Sequence, residues 1–173
     1  LLSHGLMKGL AFLAIGALMF GLQHGLGQAG DAGGHSPLTV DDLAGAARRY
    51  PLVALVFSLA VLGLGGLPPL VGFMSKWQVL VAGAQTRDTF ILVVLLIAAL
   101  NSVLSLGYYA PLVNRLYRRE PGALVVAGRP IPAVMLAPLV VLAVTVVLLG
   151  ILPMVAGRLT IPAAADLLAI FAP

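Results

Sequence analysis

The sequence has few charged residues and no cysteine. Of its 173 residues, 9% are charged and 61% are hydrophobic, and the mean hydropathy is +1.09. An ordinary soluble domain is about 25% charged and about 45–50% apolar. A soluble fold of this size could not bury so much apolar surface. The composition therefore excludes a soluble enzyme, a nucleic-acid-binding protein and a disordered tail.

The absence of cysteine excludes a disulfide framework, a thiolate metal site and an iron–sulfur cluster. His24 and His35 have no partner at the spacing of a metal site. Gly63-x-Gly65-Gly66 does not lie in the strand–turn–helix context that a dinucleotide fingerprint requires. We therefore predict no catalytic residue, no metal and no cofactor in this chain.

Long apolar runs predict an all-α fold, in which residues 1–173 form one polytopic bundle of transmembrane helices. A helix of about 20 residues is long enough to cross a hydrocarbon core of about 30 Å. The four predicted spans are residues 1–22, 52–84, 89–113 and 133–152.

The remaining segments are predicted to be loops 23–50 and 114–132 and a short tail, 153–173. Turn and capping signals in the first loop favour a short surface helix at 41–49. Because the chain begins with Leu1, inside an apolar run, we expect it to be the C-terminal part of a longer protein.

The second apolar run is predicted to be a discontinuous helix. It is longer than one span needs and shorter than two spans need, and prolines and glycines in its middle interrupt helical hydrogen bonding. The predicted break lies near 65–72 and comprises Gly65, Gly66, Pro68, Pro69 and Gly72. Non-helical backbone at membrane depth is usually found along ion or substrate pathways. The alternative is a plain hairpin at the membrane edge.

Loop charges predict the orientation of the chain. Positive residues favour cytoplasmic loops. The first loop, 23–50, and the third loop, 114–132, which follows the short second loop after residue 84, share a side if the second run crosses once. They carry Arg48, Arg49, Arg115, Arg118, Arg119 and Arg129. The other side carries Arg87 and Arg158. We expect a multi-pass protein of a bacterial or archaeal inner membrane, with these loops in the cytoplasm and the C-terminus outside.

Three basic side chains lie within the predicted spans: His4, Lys8 and Lys76. An ammonium at the bilayer centre costs about 3 kcal/mol on insertion scales, so such residues are candidates for function. Burial lowers the pKa of a lysine, and an amine that titrates near neutral pH can relay protons. His4 and Lys8 are one helical turn apart and face the same way. The alternatives are a satisfied histidine near a helix end and lysines whose amines reach the membrane interface.

The third span has one polar face, because Asn101, Ser105 and Tyr108 (or Tyr109) are spaced at helical intervals. These side chains could line a hydrated path, together with Ser75 next to Lys76. They could equally form hydrogen bonds between helices.

Three stretches together resemble one family of membrane proteins. SHGLMKGLAFL at 3–13 resembles its His-x-x-x-Lys helix, GLPPLVGFMSKW at 66–77 resembles its broken helix, and NSVLSLGYYAPLVNR at 101–115 resembles the helix that follows. The family is the antiporter-like membrane subunits of respiratory complex I, the Mrp cation/proton antiporters and the membrane-bound group 4 hydrogenases.

This resemblance implies a fold of two inverted helical repeats, each with a broken helix. This chain would form the end of the second repeat and the closing helix. Lys76 resembles the lysine at the broken helix, and Lys8 with His4 resembles the pair on the central hydrophilic axis. The family's subunits bind no redox cofactor, and redox chemistry occurs in partner subunits.

We therefore expect a proton-translocating subunit of a redox-driven complex, either an NADH-quinone oxidoreductase or a related hydrogenase. Its partners would be other membrane subunits, the lipid bilayer and, indirectly, soluble redox subunits. One alternative is an Mrp-type Na⁺/H⁺ antiporter subunit. An alternative of another class is a structural membrane anchor.

Overall fold

A computed structural model describes residues 2–29, 39–68 and 70–152, together with 154, 155, 157, 158 and 162 in the tail, and the side chains of 24–29 are not among them. Pro69 of the predicted break and most of the tail, 153–173, lie outside the described residues. All regular structure within the described ranges is helical, as the sequence predicts.

Seven α-helices and one short 3-10 helix make up the described part of the chain. They are α1 (Leu2–Ala29), the 3-10 helix Val40–Leu43, α2 (Ala46–Arg49), α3 (Pro51–Gly65), α4 (Val71–Gln85), α5 (Thr89–Leu116), α6 (Ala123–Ala127) and α7 (Ala133–Ile151).

Three of these helices are long and apolar enough to cross a membrane: residues Leu2–Gln23 of α1, α5 and α7. The 15 residues of α3 would extend about 22 Å, less than a hydrocarbon core of about 30 Å. α3 alone is therefore too short to cross such a core. That α3 and α4 together form one span stays a prediction.

α3 and then α4 pack along α5, and both run antiparallel to it. The carbonyl oxygen of Arg115 accepts a hydrogen bond from the amide of Gly45, shortly before α3 begins. Leu106 packs on Gly65 at the end of α3, and Leu95 packs on Gly83 near the end of α4. These three contacts lie progressively nearer the N-terminus of α5 as the chain proceeds through α3 and then α4. The two short helices thus advance in the same direction.

The buried core lies mainly between α1, α3 and α7. Its fully buried side chains include Leu10 and Leu18 of α1, Val53 of α3, and Leu139 and Val146 of α7. α1 runs antiparallel to α3, because Gly21 lies against Tyr50 at one end and Met7 lies against Gly63 at the other. Most of α5 projects from this core, and large side chains along it remain exposed.

The described parts of the first and third loops contact each other at one end of the bundle. The amide of Gly122 donates to the carbonyl of Ala44 at 3.0 Å. Arg115, at the end of α5, forms an ion pair with Asp41. The hydroxyl of Tyr50 donates to the carbonyl of Arg129 at 2.8 Å. We call these packed loop segments, 39–50 and 117–132, the loop layer.

Several helix boundaries differ from those predicted. α1 continues to Ala29 rather than ending at residue 22, since glycines weaken a helix by only about 1 kcal/mol each and no proline interrupts this stretch. The surface helix expected at 41–49 is divided at Gly45, whose φ of 70° is left-handed. The predicted loop 114–132 contains α6, which buries Val125 in the loop layer.

Candidate proton-relay site

The interruption between α3 and α4 is built from glycine and proline, as the sequence predicts for such a break. Gly65 is the last residue of α3, and Gly66 follows in the left-handed conformation, with φ 91°. The amide of Leu67 donates back to the carbonyl of Leu62 at 3.0 Å, which closes the helix in the Schellman manner. Pro68 lies in the connection, whereas Gly72 already lies in the first turn of α4. The interruption is therefore shorter than the predicted 65–72.

Lys76 lies just after the first turn of α4, and its side chain extends back to the C-terminal end of α3. Its Nζ donates to the carbonyl oxygens of Leu64 at 3.1 Å and Gly65 at 2.9 Å. The last carbonyls of a helix have no partner within that helix and carry partial negative charge. The ammonium therefore satisfies groups that the helix break leaves open. Within the described residues, Lys76 forms no salt bridge.

Two glycines allow α4 to begin close against α3. A Cβ on Gly72 would overlap the carbonyl oxygen of Gly63, and a Cβ on Gly63 would lie 2.9 Å from the Sδ atom of Met7. This backbone contact sets the level at which α4 starts. It therefore places Lys76, four residues later, beside the end of α3.

A cleft of about 480 Å³ opens between α4 and α5 beside the ammonium. Lys76, Ser75 and Ser102 are among its lining residues, and Phe73 and Trp77, whose rings stack with centroids 5.9 Å apart, form part of its wall. The cleft opens on the side of the bundle, and apolar side chains form most of its lining.

Of the three predicted lining residues on α5, Ser105 lies beside the helix break. Its hydroxyl lies 3.5 Å from the carbonyl oxygen of Gly65 and donates to the carbonyl of Ser102 at 2.6 Å. Asn101 and Tyr108 are exposed, the latter by 61%. Tyr109, the alternative at that turn, is half-buried and packs near Gly65.

Sequence reasoning missed Ser102, which lines the cleft beside Lys76. A signal for it was present, because Ser102 stands three residues before Ser105 and shares its side of the helix. The predicted Ser75 does line the cleft, although its hydroxyl donates within its own helix, to the carbonyl of Gly72 at 3.0 Å.

His4 and Lys8 lie on an exposed face of α1. Between them in sequence, Met7 is buried and its side chain reaches the close contact of Gly63 with Gly72. Met7 thus packs at the break, whereas His4 and Lys8 are exposed. Among the described residues, neither His4 nor Lys8 forms a hydrogen bond with Lys76 or lines the cleft beside it. No cluster of three potential metal ligands occurs in the described residues.

Comparisons with known proteins identify relatives of this chain. Residues 1–103 match the family described as the transmembrane segment of NADH:quinone oxidoreductase and Mrp antiporter subunits. NADH-quinone oxidoreductase subunit N 1 of Sorangium cellulosum is 40% identical over 69% of this chain and 23% of its own length. The F420H2 dehydrogenase subunit N of Methanosarcina mazei is 37% identical over 69% of this chain and 23% of its own length.

A solved structure of respiratory complex I from Thermus thermophilus with bound aureothin contains a similar chain. The TM-score is 0.56 and the identity 31%, over 67% of this chain and 26% of that chain. This chain thus spans about a quarter of the length of these relatives.

Proposed function

This chain belongs to the NADH:quinone oxidoreductase/Mrp antiporter transmembrane family, and we propose that it conducts protons as part of a longer, antiporter-like subunit in a redox-driven membrane complex. Two of its relatives are named as subunits of oxidoreductases that act with NADH and quinone or with F420H2. The proposed complex is accordingly an NADH-quinone oxidoreductase or a related enzyme.

The observation that carries this proposal is the setting of Lys76. Its ammonium is bound by two carbonyl oxygens at a helix break and borders an open cleft. A carboxylate partner would hold the amine in its charged form, because an opposite charge stabilises the protonated state. Neutral carbonyls stabilise that state less. The amine can therefore release its proton when the local field changes and take up another through the cleft.

His4 and Lys8 would supply the next steps of the same relay. Both lie on the exposed face of α1, where further helices of a longer subunit would pack against them. Imidazole and amine groups one turn apart can pass a proton between them when water connects them. Met7 separates this face from the break, so transfer between Lys8 and Lys76 would require water around that side chain.

The energy for translocation would come from partner subunits. The proposed partners are other membrane subunits and, through them, soluble redox subunits, whose change of charge would shift the proton affinity of these amines. In this arrangement the C-terminus lies outside a bacterial or archaeal inner membrane, and the loop layer lies in the cytoplasm, where its arginines favour it.

The test is Lys76→Met in the full-length subunit, assembled in its complex in sealed membrane vesicles. Electron transfer and proton uptake are measured on the same vesicles, by substrate oxidation and by quenching of a pH-sensitive dye. We expect proton uptake per electron to fall at least about tenfold, the change that about 1.4 kcal/mol of barrier produces. Arg87→Gln is the matched control, because it removes an exposed positive charge from the turn after α4 and should leave pumping unchanged.

Other outcomes would contradict the proposal. Unchanged proton uptake in Lys76→Met complexes would remove the role of Lys76. Sodium-dependent proton exchange without electron transfer would favour an Mrp-type antiporter. If Lys76 and Lys8 could both be replaced with full ion movement, while truncation of the chain released redox subunits, the chain would be a structural anchor.

A further inference from the structure

A second cleft, of about 330 Å³, lies where α3 and α7 begin. Arg49 contributes a charged side chain to it, and Leu52, Val53, Ile131 and Leu136 form apolar walls. It is separate from the cleft at Lys76, which lies between α4 and α5. The proposed proton path makes no use of this cleft.

The cleft lies at the level where the apolar spans end. The candidate span in α1 ends at Gln23, and the span formed by α7 begins at Ala133. The segment just before α7 is bound to α1 near the end of its candidate span, because the amide of Arg129 donates to the carbonyl of Gly21 at 2.9 Å. A ligand in this cleft would therefore meet charged groups of the loop layer on one side and apolar helix surface on the other.

Arg49 is held at the cleft by the neighbouring segment of the loop layer that follows α6. One of its Nη atoms donates to the carbonyl of Gly128. An arginine carries more N–H donors than one carbonyl can accept, so further donors remain for a ligand. The adjacent Arg48 is exposed and adds to the positive charge.

Two acidic side chains of the loop layer already have partners, and a third, Glu120, is exposed and does not line the cleft. Asp41 is paired with Arg115, and Asp42 accepts hydrogen bonds from the amide and hydroxyl of Thr39 at 2.7 and 2.9 Å. The cleft lining contains no acidic residue from the part of the chain that the structure describes. The positive charge at the cleft is thus left without a carboxylate there.

Below the arginine, the surface of α3 is suited to an acyl chain. Leu52 and Leu55, on neighbouring turns, are exposed by 39% and 50%. Basic pockets between transmembrane helices on the cytoplasmic side bind anionic lipid headgroups. We propose that this cleft binds an anionic phospholipid, whose phosphate contacts Arg49 and whose acyl chain lies along Leu52 and Leu55.

The test uses the full-length subunit in its complex, purified in detergent and stripped of bound lipid. Phosphatidylglycerol and phosphatidylcholine are titrated separately, and bound lipids are counted by native mass spectrometry. We expect the complex to bind phosphatidylglycerol more tightly than phosphatidylcholine. Arg49→Gln should weaken the phosphatidylglycerol site about fivefold, the contribution of one arginine near an anionic surface.

A second variant keeps the hydrogen bond from Arg49 to Gly128. Leu52→Glu places a carboxylate at the cleft within the first turn of α3, a position where negative charge stabilises a helix. It should therefore fold and still repel the phosphate, with a similar loss of phosphatidylglycerol affinity. Arg118→Gln is the control, because Arg118 is exposed and does not line the cleft.

Four results would overturn the proposal. The first is unchanged phosphatidylglycerol binding in both Arg49→Gln and Leu52→Glu. The second is equal affinity for phosphatidylcholine. The third is displacement of phosphatidylglycerol by inorganic phosphate, which would make this a site for free phosphate. The fourth is loss of a neighbouring subunit from the Arg49→Gln complex with lipid affinity unchanged, which would make it a protein contact.

Discussion

The Nζ atom of Lys76 lies 2.9 Å from the carbonyl oxygen of Gly65, the last residue of the helix that precedes the break. An amine on α4 thereby occupies the open C-terminal end of α3. The pair joins two parts of the chain that proline and glycine separate. It also places the ammonium where a helix end already attracts positive charge.

The close approach of α4 to α3 predicts different costs for two glycine substitutions. In Gly72→Ala, the new Cβ would overlap the carbonyl oxygen of Gly63, a backbone atom that cannot rotate away. We expect a loss of roughly 1–3 kcal/mol in stability, the usual cost of overpacking. Thermal unfolding of the purified full-length subunit in detergent would measure it.

Gly63→Ala is the matched variant. Its Cβ would meet the Sδ atom of Met7 at 2.9 Å, near the end of a flexible side chain that can move. Alanine also favours a helix interior over glycine by up to about 1 kcal/mol. We expect Gly63→Ala to be clearly more stable than Gly72→Ala, and equal losses would argue against the backbone contact.

The cleft beside Lys76 predicts that filling it will slow proton transfer without removing the amine. Ala99 lines this cleft, so Ala99→Phe would place a ring where water would stand. We expect proton uptake per electron to fall about tenfold, with Lys76 still bound to its carbonyls. Ala110→Phe on the same helix is the control, since Ala110 is exposed and outside the cleft lining. Full pumping by the Ala99→Phe complex would show that protons take another route.

The loop layer predicts a stabilising role for the hydroxyl of Tyr50, which is 5% exposed and donates to the carbonyl of Arg129. Tyr50→Phe removes this hydrogen bond and should lower the free energy of unfolding by about 1 kcal/mol. Tyr117→Phe, at a ring that is 49% exposed, should change it by less than about 0.5 kcal/mol. Thermal unfolding of both variants provides the comparison, and equal stabilities would contradict the role of the Tyr50 bond.

Local features of the chain were readable from its sequence. The apolar runs predict long helices because hydropathy and helix length are properties of a segment by itself. Gly66 and Pro68 predict a helix break for the same reason, since each acts on its own backbone. The family resemblance also rests on contiguous stretches, and the family match confirms it.

The geometry of the candidate site depends on how helices distant in sequence pack against one another, which no single segment of sequence specifies. Periodicity showed that Asn101, Ser105 and Tyr108 share a face, but it could not show which part of that face meets α3. The rotation of α5 places Ser102 at the cleft and leaves Asn101 and Tyr108 exposed. The same holds for α1, where packing buries Met7 and turns His4 and Lys8 outward.

By itself, then, the sequence determined that this is a helical membrane protein with an interrupted segment and an amine beside the interruption. Tertiary structure alone decided what that amine binds, and it also decided that the two arginine-bearing loops pack into one layer with a cleft at Arg49. The reason is physical. Hydropathy and backbone conformation are set residue by residue, whereas hydrogen-bond partners and clefts arise only when helices distant in sequence meet at a particular depth and rotation.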